Sequence, residues 1–155
     1  MNQDKIVVVM GGPSTEAEIS RQTGSAILKA LQSKGYNAEG MELNPPTFAE
    51  DIKKSGCAIV FNALHGKFGE DGVLQGTLDM LGIPYTGAGV MTSSMAIDKV
   101  MTKRVWIAEG LPTPAHVRLA PEEQSPEAVA ALPALARRHA PTTLAAAALA
   151  GALAL

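Results

Sequence analysis

The segment His65-Gly66-Lys67-Phe68-Gly69-Glu70-Asp71-Gly72-Val73-Leu74-Gln75-Gly76 restricts the possible folds more than any other part of the chain. It follows the apolar run Cys57–Leu64 (CAIVFNAL), which reads as a buried strand. Glycines at 66, 69 and 72 permit backbone shapes that Cβ-bearing residues resist. An imidazole opens the loop and two adjacent carboxylates close it. Asp71 stands where a helix N-cap belongs, ahead of Val73–Leu81. Open α/β sheets place ligands at the carboxyl ends of their strands, which is where this loop falls. An enzyme is the first expectation.

The flanking segments repeat the alternation. Lys5–Met10 (KIVVVM) is a β-branched run that ends at Gly11-Gly12-Pro13, a buried first strand. Thr15-Glu16-Ala17-Glu18 has the form of a capping box and opens a helix. Its expected apolar face is Ile19, Thr23, Ala26, Ile27, Ala30 and Leu31, and its expected stop is Gly35. Ala38–Leu43 reads as a second strand, and Pro45-Pro46-Thr47 starts a short helix to about Ser55. After the glycine loop and the Gly72–Leu81 helix, Gly82–Gly87 reads as a short strand entering a turn. Thr92 or Ser93 can cap one longer helix that passes Trp106 and closes at Gly110. Leu111-Pro112-Thr113-Pro114 is a stiff linker, and His116–Leu119 a possible strand. Strands alternating with helices predict a parallel sheet covered on both faces. The expected fold class is α/β, a Rossmann-like three-layer sandwich over about residues 4–90 with Ile6–Met10 beside Ala58–Phe61.

From Ala120 to Leu155 the composition turns to alanine, leucine and proline. Pro133 and Pro141 interrupt any long helix, and alanine buries little area, so a low-complexity, partly helical, frayed tail is expected. The wholly apolar end, Leu144–Leu155, is shorter than the roughly 17–25 residues a membrane span needs. With a polar start and no signal-peptide pattern, a soluble cytoplasmic protein is expected. A net charge of −2 without a basic stripe argues against nucleic acid as the main partner. The single Cys57 cannot form an internal disulfide and reads as a small buried hydrophobe.

Candidate chemistry concentrates in a few side chains. Gly11-Gly12-Pro13-Ser14 invites a phosphate reading, but the chain has neither G-x-G-x-x-G nor a Lys-Ser/Thr pair there. Glu16 and Glu18 in the first helical turn would repel phosphate and suit a cation. Glu18 reads as a capping residue, whereas Glu16 can reach back across the carboxyl end of the sheet towards an ammonium group. His65 has two readings, a general acid/base or a hydrogen-bond donor to carboxylate or phosphate, beside the bland one of a structural histidine. Asp71 reads as a cap and Glu70 as a loop brace. Lys99 lies in a charge cluster with Lys103 and Arg104, a solvated face or, near the crevice, a point charge for phosphate. His116 and His139 have no partners at metal-ligand spacing, and no metal site is expected in the chain.

These residues bring a family into view. Gly11-Gly12 with Ser14-x-Glu16-x-Glu18-Ile19-Ser20, the loop His65–Gly76, Leu81–Gly87 and Ile97-Asp98-Lys99 resemble, in order and spacing, the motifs of D-alanine–D-alanine ligases of the ATP-grasp class. The likeness covers about residues 4–114. It implies ATP, magnesium and an acyl phosphate, used to join two D-alanines for peptidoglycan. It also implies roles for residues. Glu16 would hold the ammonium of the first D-alanine, with Ile19 and Ser20 in the same subsite. His65 would lie beside that substrate's carboxylate and the acyl phosphate, and Lys99 would help bind ATP phosphates. Burying a zwitterion without such partners would cost several kcal/mol per group.

The resemblance also implies a homodimer through the first domain and an enzyme about twice this length or more. Residues 1–90 would then be the N-terminal pre-ATP-grasp substrate domain. Residues 91–119 would be a connecting helix, linker and the start of the ATP-grasp domain, and 120–155 a tail outside the family pattern. No phosphate-binding strand lysine, Ser-rich covering loop or magnesium set follows Leu132, so magnesium ligands are expected outside the chain. The chain alone is expected to be inactive. The competing readings are a non-catalytic Rossmann-like small-molecule-binding module and a dimerisation module, and ATP-dependent phosphate release with D-alanine separates them.

Overall fold

The computed structural model describes residues 4–114 and, beyond them, His116, Arg118, Ser125, Glu127 and Ala130. The elements run β1 (Ile6–Met10), α1 (Ala17–Ser33), β2 (Ala38–Glu42), α2 (Phe48–Ser55), β3 (Ile59–Asn62), α3 (Val73–Leu81), α4 (Val90–Ile97) and α5 (Lys99–Ala108). The strands form one parallel sheet in the order β2-β1-β3. Ile6 stands opposite Ala38 on one side and Ile59 on the other, so β1 and β3 are the parallel neighbours that the alternation predicts. The expected strand at Gly82–Gly87 shrinks to a single parallel bridge between Val60 and Tyr85. Pro84 has no N–H to give a ladder, but its carbonyl accepts from Val60 N–H at 2.8 Å.

β1 is central, and Val7, Val8 and Val9 are fully buried. Its alternate residues feed two cores, because successive strand side chains point to opposite faces. Val7 and Val9 pack with Phe48, Ile52, Val60, Leu74 and Leu78, the faces of α2 and α3. Val8 and Met10 pack with Ala63 and with Ile27, Leu28 and Leu31 of α1. The result is the three-layer α/β sandwich, with α1 on one face and α2 and α3 on the other.

α1 keeps part of its predicted face, with Ile27 and Leu31 packed against the core, and departs from it elsewhere. Its buried residues are Ser20 and Gly24, while Ile19 is 56% exposed, and Ala26 and Ala30 also face outward. Small residues bring the helix axis close to the sheet, which leaves no room for the bulkier Ile19 on that face. The capping box does not form either. The helix starts at Ala17 with Glu16 as N-cap, one residue later than the Thr15–Glu18 spacing requires. Glu18 instead meets Arg21 at 3.5 Å and Gln22 at 3.4 Å.

The single helix expected from Thr92 or Ser93 to Gly110 is two helices. α4 has Gly89 as N-cap, and the break falls at Asp98, whose ψ of 98° is extended. One carboxylate oxygen of Asp98 accepts the N–H groups of Val100 (3.0 Å) and Met101 (2.9 Å) and so caps α5. An aspartate offers the backbone this alternative wherever it occurs inside a helical pattern.

The chain divides into two units, Met1–Thr102 and Lys103–Leu155. In the second, the Lys103 ammonium donates to Thr113 Oγ1 and to the Pro114 carbonyl, both at 2.9 Å, and so anchors the linker. The expected strand at His116–Leu119 is not seen at His116 or Arg118, and its other residues lie outside the described ones. The expected frayed tail, Ala120–Leu155, also falls outside them apart from Ser125, Glu127 and Ala130.

Candidate functional site

The loops that leave the carboxyl ends of β1 and β3 are joined by one buried hydroxyl. Ser20 Oγ accepts the Gly11 N–H and donates to the Ala63 carbonyl, each at 2.8 Å. Ser20 is fully buried, so its single proton is already used and its side chain does not line the cleft described below. The other side of the first loop is held by Glu42. It accepts the Gly12 N–H at 3.1 Å and pairs in two-pronged fashion with Arg21, whose nearest nitrogen is 2.7 Å away.

The hydrogen bond from Arg21, chiefly, holds the Glu42 carboxyl below its ordinary value, and the Gly12 N–H acts in the same direction. A depressed folded-state pKa stabilises the fold above the unfolded value, and that stabilisation is lost as pH falls through the depressed one. The thermal midpoint of Glu42→Gln should therefore lie below that of the parent at neutral pH. The gap should close on acidification below the carboxylate range, as thermal melts across pH would record.

Glu16 opens α1 on the rim of this loop. Its carboxylate packs over Gly66: a Cβ at that position would collide with it and would lie 3.2 Å from Ser14 Oγ. Gly66 also has a φ of 66°, so the position demands glycine twice over. Among the described residues the Glu16 carboxylate takes part in no hydrogen bond or ion pair. His65, immediately before Gly66, is one-third exposed. Its Nε2 stands 3.2 Å from Thr23 Oγ1 and its Nδ1 3.8 Å from Glu70. Glu70 accepts the Gly66 N–H at 3.0 Å, and Asp71 accepts those of Phe68 (2.9 Å) and Val73 (3.1 Å). Both acids therefore brace the loop, and Gly72 holds the N-cap position expected of Asp71. Phe68 adopts a left-handed φ of 72°, rare for an aromatic residue, while its ring packs against the core under β1.

Within the first unit, a cleft of about 590 Å³ is lined by His65, Glu70, Thr23, Ser93 and Lys99 among others. Lys99, the first residue of α5, donates to the Ala96 carbonyl at 3.0 Å. The structure thus brings His65 and Lys99 to one cleft and Glu16 against the adjacent Gly66. Ile19 lies exposed on α1, and Ser20 sits beneath the site.

Sequence reasoning missed two carboxamides in this wall, Asn62 and Gln75. Asn62 Nδ2 (2.9 Å) and Gln75 Nε2 (2.7 Å) both donate to the Gly69 carbonyl. Gln75 is 2% exposed, and its Oε1 has no partner among the described residues. The only available signal was polarity inside an otherwise apolar strand and helix. Gly69 is pressed onto Leu64, two residues past the end of β3: a Cβ there would collide with the Leu64 side chain and stand 3.0 Å from its carbonyl carbon. Gly69→Ala must lift the loop and should cost about 1–3 kcal/mol, the range for overpacking, measurable as a lower urea midpoint.

Fold and site together define an α/β domain whose polar groups gather at the carboxyl ends of its parallel strands. Comparison with known proteins narrows this class. The family profile described as "D-ala D-ala ligase N-terminus" matches residues 38–88. The chain is 53% identical over 129 residues to the D-alanine--D-alanine ligase of Methylibium petroleiphilum, covering 83% of this chain and 40% of that protein. It is 57% identical over 115 residues to the enzyme of that name from a Polaromonas species, covering 74% and 34%. The crystal structure of the Bacillus anthracis D-alanine--D-alanine ligase complexed with ATP superposes with a TM-score of 0.68 at 36% identity, over 79% of this chain and 42% of that one. The chain belongs to the D-alanine–D-alanine ligase family, corresponds to the N-terminal portion of its members, and spans about 40% or less of the length of these two curated relatives.

Proposed function

We propose that this chain supplies the first-substrate side of an ATP-dependent ligase that joins two D-alanines through an acyl phosphate, for peptidoglycan. The observation that carries this reading is the meeting of the two strand-end loops. They set the Glu16 carboxylate against Gly66 beside His65, with Lys99 on the cleft that His65 lines. Glu16 would pair with the ammonium of the first D-alanine, and Ile19 would pack near it. His65 would serve the substrate carboxylate and the acyl phosphate, with Thr23 and Glu70 fixing its ring. Ser20 would act beneath the subsite, by tying the Gly11 loop to Ala63.

ATP supplies the phosphoryl group. Lys99 suits its phosphates, as a point charge on a flexible stem that can exchange the Ala96 carbonyl for an anion. Magnesium is part of the proposal, but its ligands are assigned elsewhere in the enzyme. Among the described residues no three His, Cys, Asp or Glu side chains gather to hold a metal ion. Division at residues 90 and 119, a homodimer and a cytoplasmic location belong to the same reading. No helix among the described residues is long and apolar enough to cross a membrane.

The test is phosphate release from ATP with D-alanine, for this chain alone and for the chain extended with the remainder of a relative. Release is expected only from the extended protein. Release by the chain alone would overturn the assignment of the ATP-binding half elsewhere. D-alanine binding without release in the extended protein would favour the binding-module reading.

A further inference from the structure

We infer that Asn62 and Gln75 are positioning residues of the site: their two carboxamides pin the Gly69 carbonyl and so hold His65 and Glu70 at the cleft. Gly69 is the midpoint of the glycine loop, and its oxygen takes one donor from the end of β3 and one from the first turn of α3. Asn62 is itself fixed. Its Oδ1 accepts the Leu64 N–H and its own N–H donates to Thr86 Oγ1, both at 3.1 Å. The clamp thus joins β3, α3 and the Thr86 segment at one carbonyl. Two residues on either side of it matter to the site. Glu70, the next residue along, closes the loop on Gly66 through both its amide (2.9 Å) and its carboxylate (3.0 Å), and His65 precedes Gly66. Lifting Gly69 would therefore carry Glu70 away from His65 and free the ring from Thr23.

Gln75 carries most of the inference because it is buried and half satisfied. Replacing it by methionine, of similar length, removes the donor to Gly69 and also removes the orphan acceptor Oε1. Global stability should then change little while the loop loosens. The functional importance of that loosening rests on the reading of His65 as a site residue. The loosening itself is measured without any substrate, so failure of that reading and failure of the clamp are distinguishable.

The experiment is NMR on the full chain with labelled histidine, which carries three histidines, His65, His116 and His139. In Gln75→Met, amide exchange at Gly66 and Glu70 should rise about tenfold, as expected for loss of one hydrogen bond, while Val8 and Val9 in β1 keep their protection. The His65 ring resonances should shift, and the cross-peak to the Thr23 methyl should weaken. In Gln75→Glu, a carboxylate faces the Gly69 carbonyl and cannot donate. Burial raises its pKa, and once protonated it donates again, so the His65 spectrum should return to that of the parent at matched acidic pH. Equal loss of protection in the loop and in β1, or unmoved His65 resonances in Gln75→Met, would overturn the inference. Absence of the acid rescue in a folded Gln75→Glu chain would overturn it as well, and if that variant does not fold, Gln75→Met alone decides.

Discussion

In a full-length ligase carrying this domain, Glu16→Gln is expected to raise the Michaelis constant for the first D-alanine by roughly two orders of magnitude or more, with that for ATP nearly unchanged. Glutamine keeps the size and hydrogen-bonding reach of the side chain and removes only its charge. In the free domain Glu16 is exposed, and its carboxylate takes no hydrogen bond among the described residues and lies over Gly66. Its charge is thus uncommitted at the place where the two loops meet. Once substrate and the rest of the enzyme cover it, an ammonium facing glutamine becomes a buried charge without its counter-ion. Breaking such a pair on one side costs about 3–5 kcal/mol. The matching control is Lys99→Met, which should weaken ATP and spare D-alanine. A Glu16→Gln enzyme with intact D-alanine kinetics but a lower thermal midpoint would reduce Glu16 to its N-cap position on α1 and remove the proposed role.

Ser20→Ala is expected to act in the opposite way, on stability rather than on substrate. Ser20 is fully buried, and its hydroxyl spans two loops far apart in sequence. Alanine would leave the Gly11 N–H and the Ala63 carbonyl unpaired, and a buried polar group without a partner costs about 1–3 kcal/mol. The total should be about 2–4 kcal/mol if both groups stay dry, and less where water reaches one of them. Urea denaturation of the isolated chain would show this as a lower midpoint at an unchanged slope. A variant with parental stability and a raised D-alanine constant would place Ser20 in direct contact with substrate.

The difference between these two residues was not legible in the local pattern, where Glu16 and Ser20 belong to one motif. Periodicity distinguishes faces of a helix only when bulky apolar residues define them. In the first half of α1 the buried positions are the small residues Ser20 and Gly24, with Ile27, Leu28 and Leu31 packing only further along, so Ile19 was placed on the wrong face. The break at Asp98 was hidden for a related reason. Helical residues continue on both sides, and the Asp98 carboxylate overrides them by capping Val100 and Met101.

Local chemistry was sufficient elsewhere. The run Val7-Val8-Val9 can only be a strand buried on both faces, and repeated strand–loop–helix spacing leaves a parallel sheet as the economical way to cover it. The glycines after β3, followed by two carboxylates, required a tight polar loop at the sheet's carboxyl edge, and that is where the loop lies. What sequence alone determined, then, was the order of elements, the two-sided core and the edge on which polar groups collect, because these follow from the period of burial along a strand. Tertiary structure decided which of those groups face each other. Glu16 meets Gly66 and Ser20 joins Gly11 to Ala63 across long separations in the chain, while Asn62 and Gln75 converge on Gly69 from either side of the loop. Such pairings depend on how closely the helices and loops settle on the sheet, a distance set by packing in three dimensions rather than by any repeat in one.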